Sequence, residues 1–253
     1  MKIEILYPEI ANLFGDMANI KYIMASVPEC KIIGTDLNTK PAFLIRNDID
    51  LVYMGTMTEN SQLIAMDHLE PYRDEIRSSI ERGQRFLMTG NSFELFCKDI
   101  VDLDDMPINR FPERVDVKGK TTRCLGIFDI SVKRAVMHRL NSLYLGKYEE
   151  LDIVGFKSVF TYAKPNADIP ALFETVRGPG LDKSGMGEGI HYKNFMATYL
   201  TGPLMVLNPK FMIRFLIECG ETNIEPPHMA AAMGAYEQRL EEFRKESLNY
   251  TYG

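Results

Sequence analysis

Residues 86–96 read FLMTGNSFELF. An apolar run from Phe86 to Met88 enters a small-residue corner of Thr89, Gly90, Asn91 and Ser92, and a short helical pattern follows. A strand, a tight turn and a helix in that order form the elbow on which some enzymes present a nucleophile, because the sharp turn exposes its central side chain. Here the central residue is glycine, which offers no side-chain atom and adopts positive φ at little steric cost. The nearby nucleophile types are Ser92, two residues on, and Cys97, about two helical turns further and expected to face the core.

The other residues with metal or nucleophile chemistry are scattered. Cys30, Cys97, Cys124 and Cys219 lie far apart without a C-x-x-C pair. They read as reduced, mostly buried thiols, not as a zinc knuckle or disulfide framework. His68 and His228 have no metal-ligand spacing around them, and His191 in GIHYKN reads as structural or partner-facing. The sequence therefore implies neither a metal nor a cofactor.

The elements that must position the corner come next. Lys2 to Tyr7, Lys31 to Leu37 and Ile49 to Met54 are β-prone, and Glu9 to Ser26 has helical spacing. Thr58 to Arg82 predicts a helical region interrupted at Pro71, with Gly83 at its C-cap. Apolar strands without polar alternation, separated by helices, predict a doubly wound α/β fold with a mainly parallel sheet, as one domain over residues 1–253. From Val115 to Ala163 the runs become short and β-prone, which predicts strands extending that sheet or an attached antiparallel patch. Helices are expected again over Phe211 to Cys219 and Met229 to Glu246, the second with Leu240 and Phe243 inward, and GPGLDKSGMGEG (178–189) reads as a flexible loop.

Composition narrows the partners. Lys plus Arg number 29 against 35 Asp plus Glu, a net charge of −6 without a dense basic run, so a nucleic-acid footprint is excluded. Charges break every apolar run before a membrane span is reached, and MKIEILYPEI lacks a signal-peptide core. The expectation is a cytoplasmic protein with a protein or small-molecule partner.

Four stretches, YPEIANLFGDMANI, FLMTGNSFELF, LGIFDI followed by HRL, and GIHYKNFMATYLTGPL, run in one order from residue 5 to about 210. Together they resemble the class I glutamine amidotransferase domain of the cobyric acid synthase type, and within it the GatD branch of glutaminase subunits that serve a Mur-ligase-like partner. The resemblance implies a flavodoxin-like fold. It also sets Gly90 at the position of the nucleophilic cysteine, Asn91 and Ser92 at two glycines, and Glu94 at a glutamine. Thr201, in TYLTGP, stands at the catalytic histidine. In the loop GTMTENSQ, Gly55 and Gln62 are retained, whereas Thr56 and Met57 replace glycines of the oxyanion hole.

By the same resemblance Arg139 matches the arginine that holds the substrate, with His138 as the other occupant if the match slips by one residue. Gly55, Asn91, Ser92 and Arg139 are thus the implied substrate-binding set, and no catalytic residue is intact. A threonine hydroxyl does not replace imidazole as a base near neutral pH. The expectation is a degenerate relative without glutaminase activity, acting as a subunit or regulator of an ATP-dependent amide ligase of Mur or amidoligase type. The alternatives are a hydrolase remodelled around Ser92, Thr89 or Thr201, and a module binding a small amino-acid ligand in the old glutamine pocket.

Overall fold

The computed structural model describes residues 1–103, 121–165, 169–182 and 186–252. The first half supplies β1 (Lys2–Leu6), α1 (Met17–Ser26), β2 (Lys31–Thr35), β3 (Leu51–Met54), α2 (Glu59–Leu69), α3 (Arg73–Glu81) and β4 (Phe86–Thr89). Next come β5 (Asp99–Asp102), β6 (Thr121–Arg123), β7 (Ile130–Arg134), β8 (Leu140–Tyr148), β9 (Leu151–Val159) and β10 (Thr161–Pro165). The chain continues through β11 (Phe173–Arg177), β12 (Gly187–Glu188), β13 (Ile190–Tyr192) and β14 (Phe195–Thr198). It closes with α4 (Leu204–Leu207), α5 (Pro209–Glu218), α6 (Met229–Arg244) and β15 (Thr251–Tyr252).

Six strands form the central sheet in the order β13-β14-β4-β3-β1-β2, parallel except for the edge strand β13. Leaving out β13, this is the flavodoxin-like arrangement 2-1-3-4-5. Alternation along the strands divides the core into two layers. Ile3, Ile5, Leu51, Tyr53, Leu87 and Met196 pack with Ile20 and Ile23 of α1 and with Phe211 and Phe215 of α5. Val52, Met54, Phe86, Met88 and Phe195 pack on the other face against Leu63 and Met66 of α2 and Ile76 and Ile80 of α3. Burial on both faces explains why these strands read as continuous apolar runs.

The middle of the chain forms attached sheets and does not extend the central one. One has the order β10-β7-β5-β6, and the other joins β12, β11, β8 and β15, with β9 paired to β8 along nine residues. Residues 115–120 of the expected β-rich stretch lie outside the described residues, as do residues 183–185 of the expected loop. Within that loop Gly187 and Glu188 pair with β11 as a short strand.

Two helices differ from their expected extents. The segment between Leu69 and Arg73 is a 3₁₀ turn carrying Pro71, and Gly83 at φ +91° ends the region as a helix C-cap. The helix expected from Glu9 begins only at Met17. Leu13 donates its N–H to the Thr56 carbonyl at 2.9 Å, and Phe14 adopts left-handed backbone, φ +56°. Tertiary contact with the loop after β3 thus takes the backbone that helical spacing alone would have used. Among the described residues no helix is long and apolar enough to cross a membrane.

The attached sheet that holds both β9 and β12 carries a fully buried ion pair, Lys157 with Glu188, beside the end of β14. Lys157 Nζ also donates to the Gly180 carbonyl at 2.5 Å, while Glu188 Oε1 accepts from Thr198 Oγ1 at 2.9 Å and from the Tyr199 N–H at 2.7 Å. Burial pulls the Lys157 pKa down, opposed by the Glu188 charge. Removing one partner of such a pair strands the other charge, so Lys157→Met should cost roughly 3–5 kcal/mol in urea unfolding. Adding Glu188→Gln, which removes the stranded charge, should recover a large part of that loss. A double variant no more stable than Lys157→Met would contradict this account.

Candidate functional site

The carboxyl ends of β3, β4 and β14 converge with the attached sheets around a cleft of about 150 Å³, where open α/β sheets place their ligands. Gly90 follows directly on β4, at φ +61°. That left-handed backbone is the conformation in which glycine has the advantage. Space is restricted there as well. A Cβ built on Gly90 would overlap Thr56 Oγ1 and lie 2.8 Å from Thr56 Cγ2 and 2.9 Å from Thr56 Cβ. Residue 56 therefore fills the volume into which a side chain at 90 would project.

Thr56 is held there by Asp16. The Asp16 Oδ2 oxygen accepts from Thr56 Oγ1 at 2.5 Å, from the Thr56 N–H at 2.8 Å and from Thr89 Oγ1 at 2.9 Å. Its other oxygen, Oδ1, is buried without a hydrogen-bond partner. Burial pushes the Asp16 carboxyl pKa up, and the hydrogen bonds from Thr56 and Thr89 oppose that shift. Tyr53 donates to the Asp16 carbonyl at 3.0 Å, fixing the loop from below. Gly55 makes this closure possible, since a Cβ there would meet the Ala11 carbonyl oxygen at 2.5 Å.

Of the six residues expected at the nucleophile, base and substrate-binding positions, four line the cleft: Gly90, Asn91, Arg139 and Thr201. Gly55 and Ser92 do not. Ser92 is buried, its hydroxyl directed to the Met54 and Thr89 carbonyls at 2.9 and 2.8 Å, and Thr89 is committed to Asp16. Asn91 clamps the loop after β3, accepting from the Met57 N–H at 3.0 Å and donating to the Met57 carbonyl at 2.8 Å. Thr201 is buried and donates to the Phe156 carbonyl at 3.2 Å. Arg139, not His138, reaches the cleft, with its guanidinium 4.2 Å from the Phe160 ring centroid and one N–H on Ser158 Oγ at 3.0 Å. His191 lies in a different cavity, with Tyr148 and Glu218.

The floor of the cleft is a buried polar network. Glu94 accepts from Gln62 at 2.7 Å, Thr161 at 2.7 Å and Tyr199 at 3.0 Å. Arg134 donates to both oxygens of Asp102, at 2.6 and 3.0 Å, and to Gln62 at 3.3 Å. Burial pushes the Glu94 carboxyl up, against the pull of Gln62, Thr161 and Arg134. Asp16 and Arg134 carried no sequence signal as site residues. Each is an isolated charge on a segment that reads as helix or strand, and only folding brings it to the cleft.

Two expectations follow. Gly90→Ala should lose roughly 1–2 kcal/mol from the left-handed backbone and about 1–3 kcal/mol more from overpacking. Combining it with Thr56→Gly should cost less than the sum of the two single changes, by about 0.5–3 kcal/mol, because the residues share one volume. Strict additivity in urea unfolding would show that they do not compete. The second expectation concerns Glu94. A raised folded pKa gives stability that is fully present below the ordinary carboxylate pKa, about 4.3, and is lost as pH rises through the folded value. Melting curves should therefore show the wild type losing ground to Glu94→Gln as pH climbs from about 4.

No family model matches the chain. It is 23% identical over 199 residues to the GatD subunit of lipid II isoglutaminyl synthase (glutamine-hydrolysing) of Staphylococcus aureus, covering 78% of this chain and 75% of that protein. The subunit of the same name from Streptococcus pneumoniae is 23% identical over 220 residues, covering 83% of this chain and 77% of that protein. Among solved structures, PurLQS from Thermotoga maritima superposes with a TM-score of 0.57 at 11% identity, over 86% of this chain and 98% of that one. A glutamine amidotransferase superposes at 0.56 with 13% identity, over 86% and 99% of the two chains. A glutamine amidotransferase from T. maritima reaches 0.52 at 11% identity, over 96% and 95%. These superpositions join the strand order in giving the fold, and the sequence matches run along most of the same length. The chain therefore has the α/β, flavodoxin-like architecture of these glutamine amidotransferase structures, and over most of its length it is similar in sequence to the two GatD subunits.

Proposed function

We propose that this chain is a GatD-type subunit of an ATP-dependent amide ligase that has given up glutamine hydrolysis. One observation carries the reading: at the elbow where the resemblance expects a nucleophile, residue 90 has no side chain and Thr56 leaves no room for one. A second supports it. Thr201, at the position expected for the base, is buried and tied to a backbone carbonyl. Acyl transfer from an unactivated amide needs a group to protonate the departing ammonia, and a threonine hydroxyl does not serve near neutral pH.

The partner reading rests on the curated relatives, which are named as subunits of a synthase, and on the surface around the cleft. Leu13 and Phe14 are 36% and 46% exposed and border its mouth. The Met-containing segments FMATYL and PLMVL contribute Met196 and Met205 to the core, so the apolar contact surface is sought at the loop after β1. Phe14 is held outward by left-handed backbone, a conformation that costs a non-glycine residue about 1–2 kcal/mol. The ligase would then take free ammonia or another amine. A second reading, a module binding a small carboxylate ligand, is favoured by Arg139, whose exposed guanidinium stacks on Phe160 at the cleft.

Tests separate these readings. Purified protein should release no ammonia from glutamine above background, and Gly90→Cys with Thr201→His should remain inactive until Thr56→Gly is added. Turnover by Gly90→Cys alone would reveal another base and a yielding Thr56, and would sink the account of the elbow. Co-purification from the native source should capture a Mur- or amidoligase-type enzyme over an interface of at least about 1,000 Å². Phe14→Asp should abolish that capture without lowering the melting temperature. A chain that captures no ligase yet binds amino acids in calorimetry, with loss on Arg139→Ala, would favour the second reading.

A further inference from the structure

The hydroxyl that displaces the expected nucleophile is itself arranged as one. Thr56 Oγ1 lies against Gly90 at the cleft, within the space that a side chain at the elbow would enter. It donates to a buried carboxylate at 2.5 Å, and that carboxylate carries a second oxygen with no partner. An acceptor held this way is poorly solvated on one side and hydrogen-bonded to the attacking hydroxyl on the other, which is the relation of base to nucleophile in hydroxyl-based acyl transfer. We propose that Thr56 and Asp16 form a relocated acyl-transfer dyad, with Thr56 Oγ1 as nucleophile and Asp16 as its base, acting on small activated esters. This goes beyond the subunit reading and does not depend on it.

The chemistry selects the substrate class. In acylation the Thr56 oxygen bonds to the acyl carbon, its proton moves to Asp16 Oδ2, and the ester C–O bond breaks with the electron pair leaving on oxygen. Asp16 then hands that proton to the departing oxygen, so that the leaving group departs as the alcohol. Water attacks the acyl-threonine with Asp16 again taking a proton, and that proton passes to the departing Thr56 oxygen. Apart from the buried Asp16 carboxyl, which is aimed at Thr56, the neighbouring Thr89, Thr201 and Asn91 supply no acid that could assist a poor leaving group. Esters whose leaving oxygen is stable as an anion need the least acid assistance, and they are the substrates that the dyad suits. A cleft of about 150 Å³ suits a short acyl chain. Burial, which raises the affinity of Asp16 for a proton, works in the same direction.

The test uses the full chain with p-nitrophenyl acetate, read by peptide mass spectrometry for a hydroxylamine-labile ester and by release of p-nitrophenolate. The expected result is an acetyl ester on Thr56, retained in Thr56→Ser and absent in Thr56→Val, which preserves the side-chain volume. Asp16→Asn should slow acylation by on the order of 100-fold, the usual contribution of a positioned base. Melting curves accompany each variant, and if Asp16→Asn fails to fold, the contrast between Thr56→Ser and Thr56→Val decides. No ester at residue 56, or an ester formed equally fast in folded Asp16→Asn, overturns the proposal and leaves Thr56 as a packing residue. Because the readout is ester formation and not ammonia release or ligase capture, its failure is distinct from failure of the subunit reading.

Discussion

The Asp16 carboxylate gathers three segments that are remote in sequence. Through Oδ2 it receives the Thr56 N–H and hydroxyl from the loop after β3 and the Thr89 hydroxyl from the end of β4, while its own loop is held by Tyr53. Asp16, Thr89 and Tyr53 are fully buried and Thr56 nearly so, in surroundings where an unmet charge is costly and a satisfied one is rigid. Thr56 is fixed in rotamer by that bond, Gly90 is confined by Thr56, and Phe14 is turned outward by the same loop. The geometry of the cleft is therefore set from beneath.

This arrangement accounts for how the corner after β4 accommodates a glycine. An elbow keeps a non-glycine residue in left-handed backbone at a cost of about 1–3 kcal/mol, which is retained where function over-determines it. Glycine at 90 removes the strain, and Thr56 fills the space thereby left open, so the corner stays packed. A void in that place would forfeit dispersion contacts on every side. The buried network of Glu94, Gln62, Arg134 and Asp102 beneath keeps each charged group hydrogen-bonded. The packing of the corner is in this way independent of any particular chemistry at the cleft, consistent with function residing in sites and not in folds.

The two ends of the cleft differ in character. Inward lie buried carboxylates whose pKa values are raised by burial. Outward lie an exposed arginine resting on an aromatic ring and two exposed apolar side chains. A partner surface and a ligand subsite are compatible with that gradient, because the first needs exposed apolar area and the second needs fixed polar groups within a concave wall.

The apolar runs at Ile49–Met54 and Phe86–Met88, with the helical spacings between them, determined the doubly wound sheet, since burial on both faces leaves a continuous hydrophobic signature. The corner at Gly90 was legible for a similar reason: a turn requiring positive φ selects its residue locally. The sequence did not determine the start of α1, because the contact from Leu13 to Thr56 spans more than forty positions and overrides helical spacing. Nor did it separate Arg139 from His138, or reveal that Ser92 turns inward, since one residue of register or one side-chain rotamer decides each. Asp16 and Arg134 were silent for the deepest reason. A buried charge is identified by its partners, and Thr56, Thr89 and Asp102 come to those charges only when the β-strands and loops have packed, so tertiary structure alone decided what the site contains.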